Sequence, residues 1–132
     1  MPIVITGAIA DSGKGVAANS AGKPTKNGEY VKLVLKKGTV LIDRTQLGAA
    51  NAAAESPDFN DVNCSGSAVA SAPVPIVSGT KSYAGITGSV AMTLTYAFIL
   101  PLTSSGKCDE SNVDPPVAFW GSLAGSGTVS FG

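Results

Sequence analysis

Apolar and polar residues alternate with a period of two over much of the chain. From Val90 to Leu100 one face carries Val90, Met92, Leu94, Tyr96, Phe98 and Leu100, and the other carries Ala91, Thr93, Thr95, Ala97 and Ile99. That is the pattern of a long strand with one face toward a core. The C-terminal run repeats it, with Phe119, Gly121, Leu123, Gly125, Gly127, Val129 and Phe131 on one face and Trp120, Ser122, Ala124, Ser126, Thr128 and Ser130 on the other. Its glycines predict bends or close backbone approach. Ile3 to Ile9 also alternates, and Tyr30–Leu35 and Gly38–Asp43 read as two strands joined by a turn at Lys36-Lys37-Gly38. Cys64 to Val77 supplies one or two more, with Pro73 and Pro75 demanding an edge position or a break.

With a short segment near Val16, the count comes to about seven or eight strands, the usual size of small barrels and sandwiches. The expected fold is therefore all-β: residues 1–132 as one domain, a single closed or nearly closed antiparallel barrel of about eight strands. Closure would remove exposed edges. Ala18 to Gly28, Gly48 to Asp61 and Thr103 to Pro116 read as loops. Within the second, Ala49 to Glu55 has room for about two helical turns but no apolar stripe.

Composition narrows the functional classes. Nine basic and nine acidic side chains cancel, and no stretch gathers enough Lys and Arg to neutralise several phosphates, so no nucleic-acid partner is expected. The longest apolar run, Val90 to Leu102, is too short for a transmembrane helix and is interrupted by Thr93 and Thr95. Charged residues make up 14% of a chain rich in Gly, Ser and Thr that holds two cysteines, which fits a secreted protein with one Cys64–Cys108 disulfide. The alternative is a pair of buried thiols. No basic and apolar leader precedes Ile3, so a secreted chain is expected in its mature form.

The absence of histidine removes Ser-His-Asp and Cys-His catalysis and His-bearing metal sites, and no metal or cofactor is expected. Carboxylates remain as acid–base candidates. Asp43 beside Arg44 ends a strand, and Glu29 beside Tyr30 begins one; both read more simply as solvated strand-end charges. Asp58, Asn60, Asp61 and Asn63 make an oxygen-rich loop without the spacing of an EF-hand, and Asp109, Glu110 and Asp114 a second acidic loop. Tyr30, Met92, Leu94, Tyr96, Phe98 and Phe119 are the candidate ligand-binding residues, with Tyr83 and Trp120 as further aromatic groups that belong either to a pocket or to the core.

The segment from Gly79 through Thr80, Lys81, Ser82, Tyr83, Ala84, Gly85, Ile86 and Thr87 to Gly88, running into the long alternating strand, resembles the glycine-rich turn and strand of the allene oxide cyclase-like barrels. Plant dirigent proteins share a similar element. Lys37 to Val40, the Cys64 region and Gly125 to Phe131 extend the likeness to about half of the chain, closest to small secreted bacterial members. The resemblance implies an eight-stranded barrel with a cavity, oligomeric in many plant relatives, and transfers no catalytic residue. The leading expectation is a secreted barrel that binds a small apolar or amphipathic molecule in its interior. A cofactor-free cyclase or isomerase is the second, and a structural or host-interaction protein with a solid barrel the third.

Overall fold

The computed structural model describes residues 1–111 and 114–132. Seven strands, β1 (Pro2–Ile5), β2 (Asp11–Ala18), β3 (Tyr30–Leu35), β4 (Gly38–Asp43), β5 (Ser65–Gly79), β6 (Ile86–Ile99) and β7 (Ala118–Phe131), pair in chain order, each antiparallel to the next. Helix α1 (Thr45–Ala53) joins β4 to β5, and a 3-10 turn, Lys81–Tyr83, joins β5 to β6. The all-β expectation holds, and the sheet curls into a half-barrel rather than closing into the expected barrel of about eight strands. The two end strands explain this. β1 has 4 residues and β7 has 14, so they share too little length to seal a seam.

The expected hairpin Tyr30–Leu35 and Gly38–Asp43 forms at those bounds, with Leu35 paired to Gly38 across a two-residue turn. The Cys64 to Val77 region is one continuous strand. β5 pairs with β6 from Ser65 to Pro75 but with β4 only from Ile76 to Gly79, after a register shift between Leu41 and Ile42. Pro73 and Pro75 thus sit where β5 is bonded on one side alone, so their missing N–H groups cost no ladder bond. α1 begins earlier than the Ala49 expectation because Asp43 accepts from the Thr45 N–H at 2.9 Å and from its hydroxyl at 2.5 Å, satisfying a free donor of the first turn. Leu47 then buries toward the sheet. Within the loop Thr103 to Pro116, residues 112 and 113 lie outside the described residues.

The core sits inside the curl of β1 to β4 and the adjoining ends of β5 and β6. Val31, Leu33, Leu35, Val40, Ile42, Leu47, Val74, Tyr83 and Ile86 form one buried cluster, with Ile3, Ile5, Met92, Leu94 and Val129 packed against it. Ile3 and Ile5 of β1, Met92 and Leu94 of β6 and Val129 of β7 all pack against this one cluster, as the curl of a half-barrel requires. The resemblance segment supplies its floor: Gly85 at φ +79° and Gly88 at φ +138° occupy backbone regions closed to most side chains, and a Cβ on Gly88 would meet the Thr128 carbonyl oxygen at 2.5 Å.

The Cys64–Cys108 disulfide is formed, across a sequence separation of 44. It ties the start of β5 to the loop that follows β6. Among the described residues no helix is long and apolar enough to cross a membrane.

Candidate functional site

Beyond the reach of β4, strands β5, β6 and β7 continue as a three-stranded arm whose concave face is only partly covered. The inward row of β5 is Gly66, Ala68, Ala70 and Ala72, opposite Phe98, Tyr96, Leu94 and Met92 of β6. These small side chains let α1 pack close against the strand. Toward the open end the row on β6 becomes aromatic. Tyr96 lies opposite Gly121 of β7, and Phe98 lies between Gly66 and Phe119. Both rings therefore rest over glycines; a Cβ on Gly66 would come within 3.0 Å of the Phe98 ring.

Phe59, from the loop after α1, completes the group. Its ring lies 6.4 Å from Phe98, Tyr96 lies 6.1 Å from Phe98, and Tyr96 lies 5.7 Å from Phe119. These separations suit offset or tilted aromatic packing. At this end of the arm opens a cleft of about 360 Å³ lined largely from the outward rows, by Ser65, Ser67, Ala97, Ile99 and Trp120, together with Asp58, Gly66, Phe98 and Phe119. Phe119 on the inward face and Trp120 on the outward face are 62% and 66% exposed, so both stand in water.

The polar side of the cleft is preorganised. Asp58 accepts from the Ser67 hydroxyl at 2.6 Å, the Ser67 N–H at 2.9 Å and the Ser56 hydroxyl at 3.0 Å. The Ser67 hydroxyl bond first, then the Ser67 backbone bond, holds this carboxyl below its ordinary range. At neutral pH Asp58 is a fixed acceptor rather than a proton donor. Its bonds also pin the loop that carries Phe59.

Of the ligand-binding candidates, Tyr96, Phe98 and Phe119 meet at this end of the arm. Met92 and Leu94 share their row but pack deeper, against the core cluster. Tyr30 pairs with Ala18 and Asp43 and lies on the opposite face from Val31, away from the rings. Asp43 is occupied as the start of α1, where the Thr45 hydroxyl and then its N–H lower its pKa. Glu29 is exposed, and its carbonyl oxygen accepts from the Arg44 N–H. Asn60 and Asn63 spend their side-chain oxygens on the turn, bonding the N–H groups of Val62 and Ser65. Among the described residues no three His, Cys, Asp or Glu side chains gather in a metal-binding group.

The sequence reading did not single out Phe59, although a lone large apolar residue in a polar loop is a usable signal. It also missed a second ordered polar arrangement at the opposite end of the sheet, built on the buried Tyr83. Asp11 accepts from the Tyr83 hydroxyl and from the N–H groups of Ser12 at 2.7 Å, Lys36 at 3.2 Å and Lys37 at 3.1 Å. Tyr83 foremost, then the backbone donors, pull Asp11 down to about 2. Burial foremost, then Asp11, pushes Tyr83 up to about 12. Three segments are clasped there: the start of β2, the β3–β4 turn and the 3-10 turn. It is a structural lock, remote from the cleft.

No family model matches the chain, and neither a curated protein nor a solved structure matches it.

Proposed function

We propose that this protein is an exported binder of a small apolar or amphipathic molecule, which lies in the cleft at the end of the β5–β7 arm against Phe98, Phe119 and Trp120 and turns a polar group toward Ser67 and Asp58. The observation that carries this is the set of rings left half in water beside an ordered polar edge, an arrangement that orients one ligand. A volume of about 360 Å³ falls at the small end of the roughly 300–1,000 Å³ of small-molecule sites. The ligand position departs from the barrel interior first expected, since apolar side chains fill the inside of the curl. Export is supported by the disulfide, which persists in oxidising compartments. The likeness to the allene oxide cyclase-like and dirigent barrels supports an apolar ligand class. A cyclase at this end of the arm would need a proton donor; Asp58 is held ionised, which leaves the Tyr96 hydroxyl beside Phe98 and Phe119 for that role.

Trp120 is the single tryptophan of the chain and sits on the cleft, so its fluorescence reports occupancy. Titration with 1-dodecanol, whose hydroxyl can donate to Asp58, should give a saturable change that Phe98→Ala abolishes while the far-ultraviolet circular dichroism stays unchanged. A wild-type protein with no saturable response to that probe, and with no small molecule retained in native mass spectrometry, would overturn the reading.

A further inference from the structure

β7 ends the sheet with a long unprotected edge. Its sequence, AFWGSLAGSGTVSF, contains neither a charge nor a proline, and among the described residues no strand pairs with its outer side. Natural sheets normally guard such an edge with Lys, Pro, a bulge or short length. The other edge of this sheet obeys that rule, since β1 has 4 residues and opens on Pro2. β7 does not, and Val129 alone along it is more than slightly sheltered; every other residue of the strand is exposed.

We infer that β7 is a homodimer interface, pairing antiparallel with β7 of a second copy about a two-fold axis at Gly125. The register follows from the bonding phase. The Gly132 N–H donates to the Gly85 carbonyl oxygen, in step with the pairing of Ile86 with Phe131. In a regular antiparallel ladder in that phase, alternate residues from Phe119 to Phe131 direct their N–H and C=O groups away from β6, toward the free edge. A two-fold at Gly125 gives every one of them a partner. It also matches large side chains with small ones: Leu123 faces Gly127 of the second copy, Val129 faces Gly121, and Phe119 faces Phe131, an aromatic cross-strand pair at each end. Such an isologous contact closes on itself and uses up the β7 edge of both copies, leaving at the ends of the joined sheet the short, Pro2-headed β1 edges.

The surface available is of the required size. Phe119, Trp120 and Phe131, at 62%, 66% and 51% exposed, leave roughly 300–400 Å² of aromatic surface in water per copy. Counted on both copies, with Leu123 and the strand backbone added, this approaches the roughly 1,200 Å² at which specific interfaces begin. The inference is independent of any ligand in the cleft, although it brings Phe131 of the second copy beside Phe119.

Sedimentation equilibrium of the wild-type protein at micromolar concentration should return twice the 13.1 kDa chain mass. The double variant Ser122→Lys/Ser126→Lys, whose changes fall on the exposed outer row of β7, should return the chain mass with an unchanged far-ultraviolet spectrum. Hydrogen exchange needs no variant: the amides of Leu123, Gly125 and Gly127 in the wild type should be protected, and should lose at least tenfold in protection on dilution into the monomer range. A wild-type monomer overturns the inference. So does an open series of larger species, a co-purifying foreign peptide on the edge, or a dimer in which those three amides exchange freely at every concentration.

Discussion

β3 and β7 carry the same alternating pattern and reach opposite ends. In β3, Val31, Leu33 and Leu35 are each 8% exposed, because Ile3 and Ile5 of β1, Met92 and Leu94 of β6 and Leu47 of α1 pack into the same cluster. In β7, the inward Phe119, Leu123 and Phe131 remain 40% exposed or more, because among the described residues no second layer covers that part of the concave face. Period two therefore tells which residues share a face. It does not tell whether a second layer covers that face, and only coverage turns a row into a core.

The largest expected effect lies where the open end is fastened. Reduction of Cys64–Cys108 should lower the unfolding free energy by about 4 kcal/mol in the chain-entropy account of a loop of this size, read as the shift between oxidised and reduced urea unfolding curves. If the two curves coincide, the arm is held by its strand pairing alone.

Next comes a direct comparison of the two regions. Leu33→Ala should cost about 3 kcal/mol through lost transfer energy and an unfilled void. Leu123→Ala, measured where the chain is monomeric, should cost less than about 1 kcal/mol because much of its surface is already in water. Equal losses in thermal unfolding would erase the distinction between a covered and an uncovered row.

A smaller effect belongs to the lock on the covered side. Tyr83→Phe deletes a hydrogen bond to a charged group and should cost about 1.5–3 kcal/mol. The pH dependence follows from both partners. Asp11 falls in the native state from 3.8 to about 2, so its contribution is complete above the unfolded value and disappears as pH drops from about 4 toward 2. Tyr83 rises from 10.0 to about 12; the neutral phenol is the form the fold favours, so its contribution is complete below pH 10 and is lost as pH climbs toward 12. Stability measured between pH 10 and 12 should decline more steeply in the wild type than in Tyr83→Phe. Parallel profiles would mean that the phenol does not titrate with unfolding.

Much of this architecture was legible in the sequence, for identifiable reasons. Tyr30–Leu35 and Gly38–Asp43 were placed to the residue because a two-residue turn fixes register. The inward row Met92, Leu94, Tyr96 and Phe98 followed from alternation, and the disulfide from two cysteines in a chain of extracellular composition. The open seam was not legible, since strand length at the ends, set by where β1 stops at Ile5, has no signature in a period-two pattern. The aromatic end of the arm was half legible. Tyr96, Phe98 and Phe119 lie on regular strands, where facing follows from parity, whereas Asp58 and Phe59 come from a loop whose course is set by the Asp58–Ser67 bonds. Tyr30 lies apart from the other ligand candidates because the hairpin turns it to the face opposite Val31.

The strand order also governs how the chain reaches this state. Every strand bonds to its neighbour in sequence, so the sheet is assembled from successive hairpins, and the contact order is lower than in a barrel whose first and last strands must meet. Sealing β1 to β7 would require loop closure across nearly the whole chain before any contact rewarded it. Left open, the polypeptide acquires structure from its N-terminal end as it emerges from a ribosome or an export pore, without holding β1 in reserve for a partner made last. The cysteines then act as a proofreader of one hairpin. The Leu100 N–H donates to the Cys64 carbonyl oxygen at 2.8 Å, so correct pairing of β5 with β6 brings Cys64 beside the segment that leads to Cys108. A one-residue slip would invert one of the two long strands relative to the other and shift Cys64 against the segment that leads to Cys108, so disulfide formation favours the native β5–β6 register.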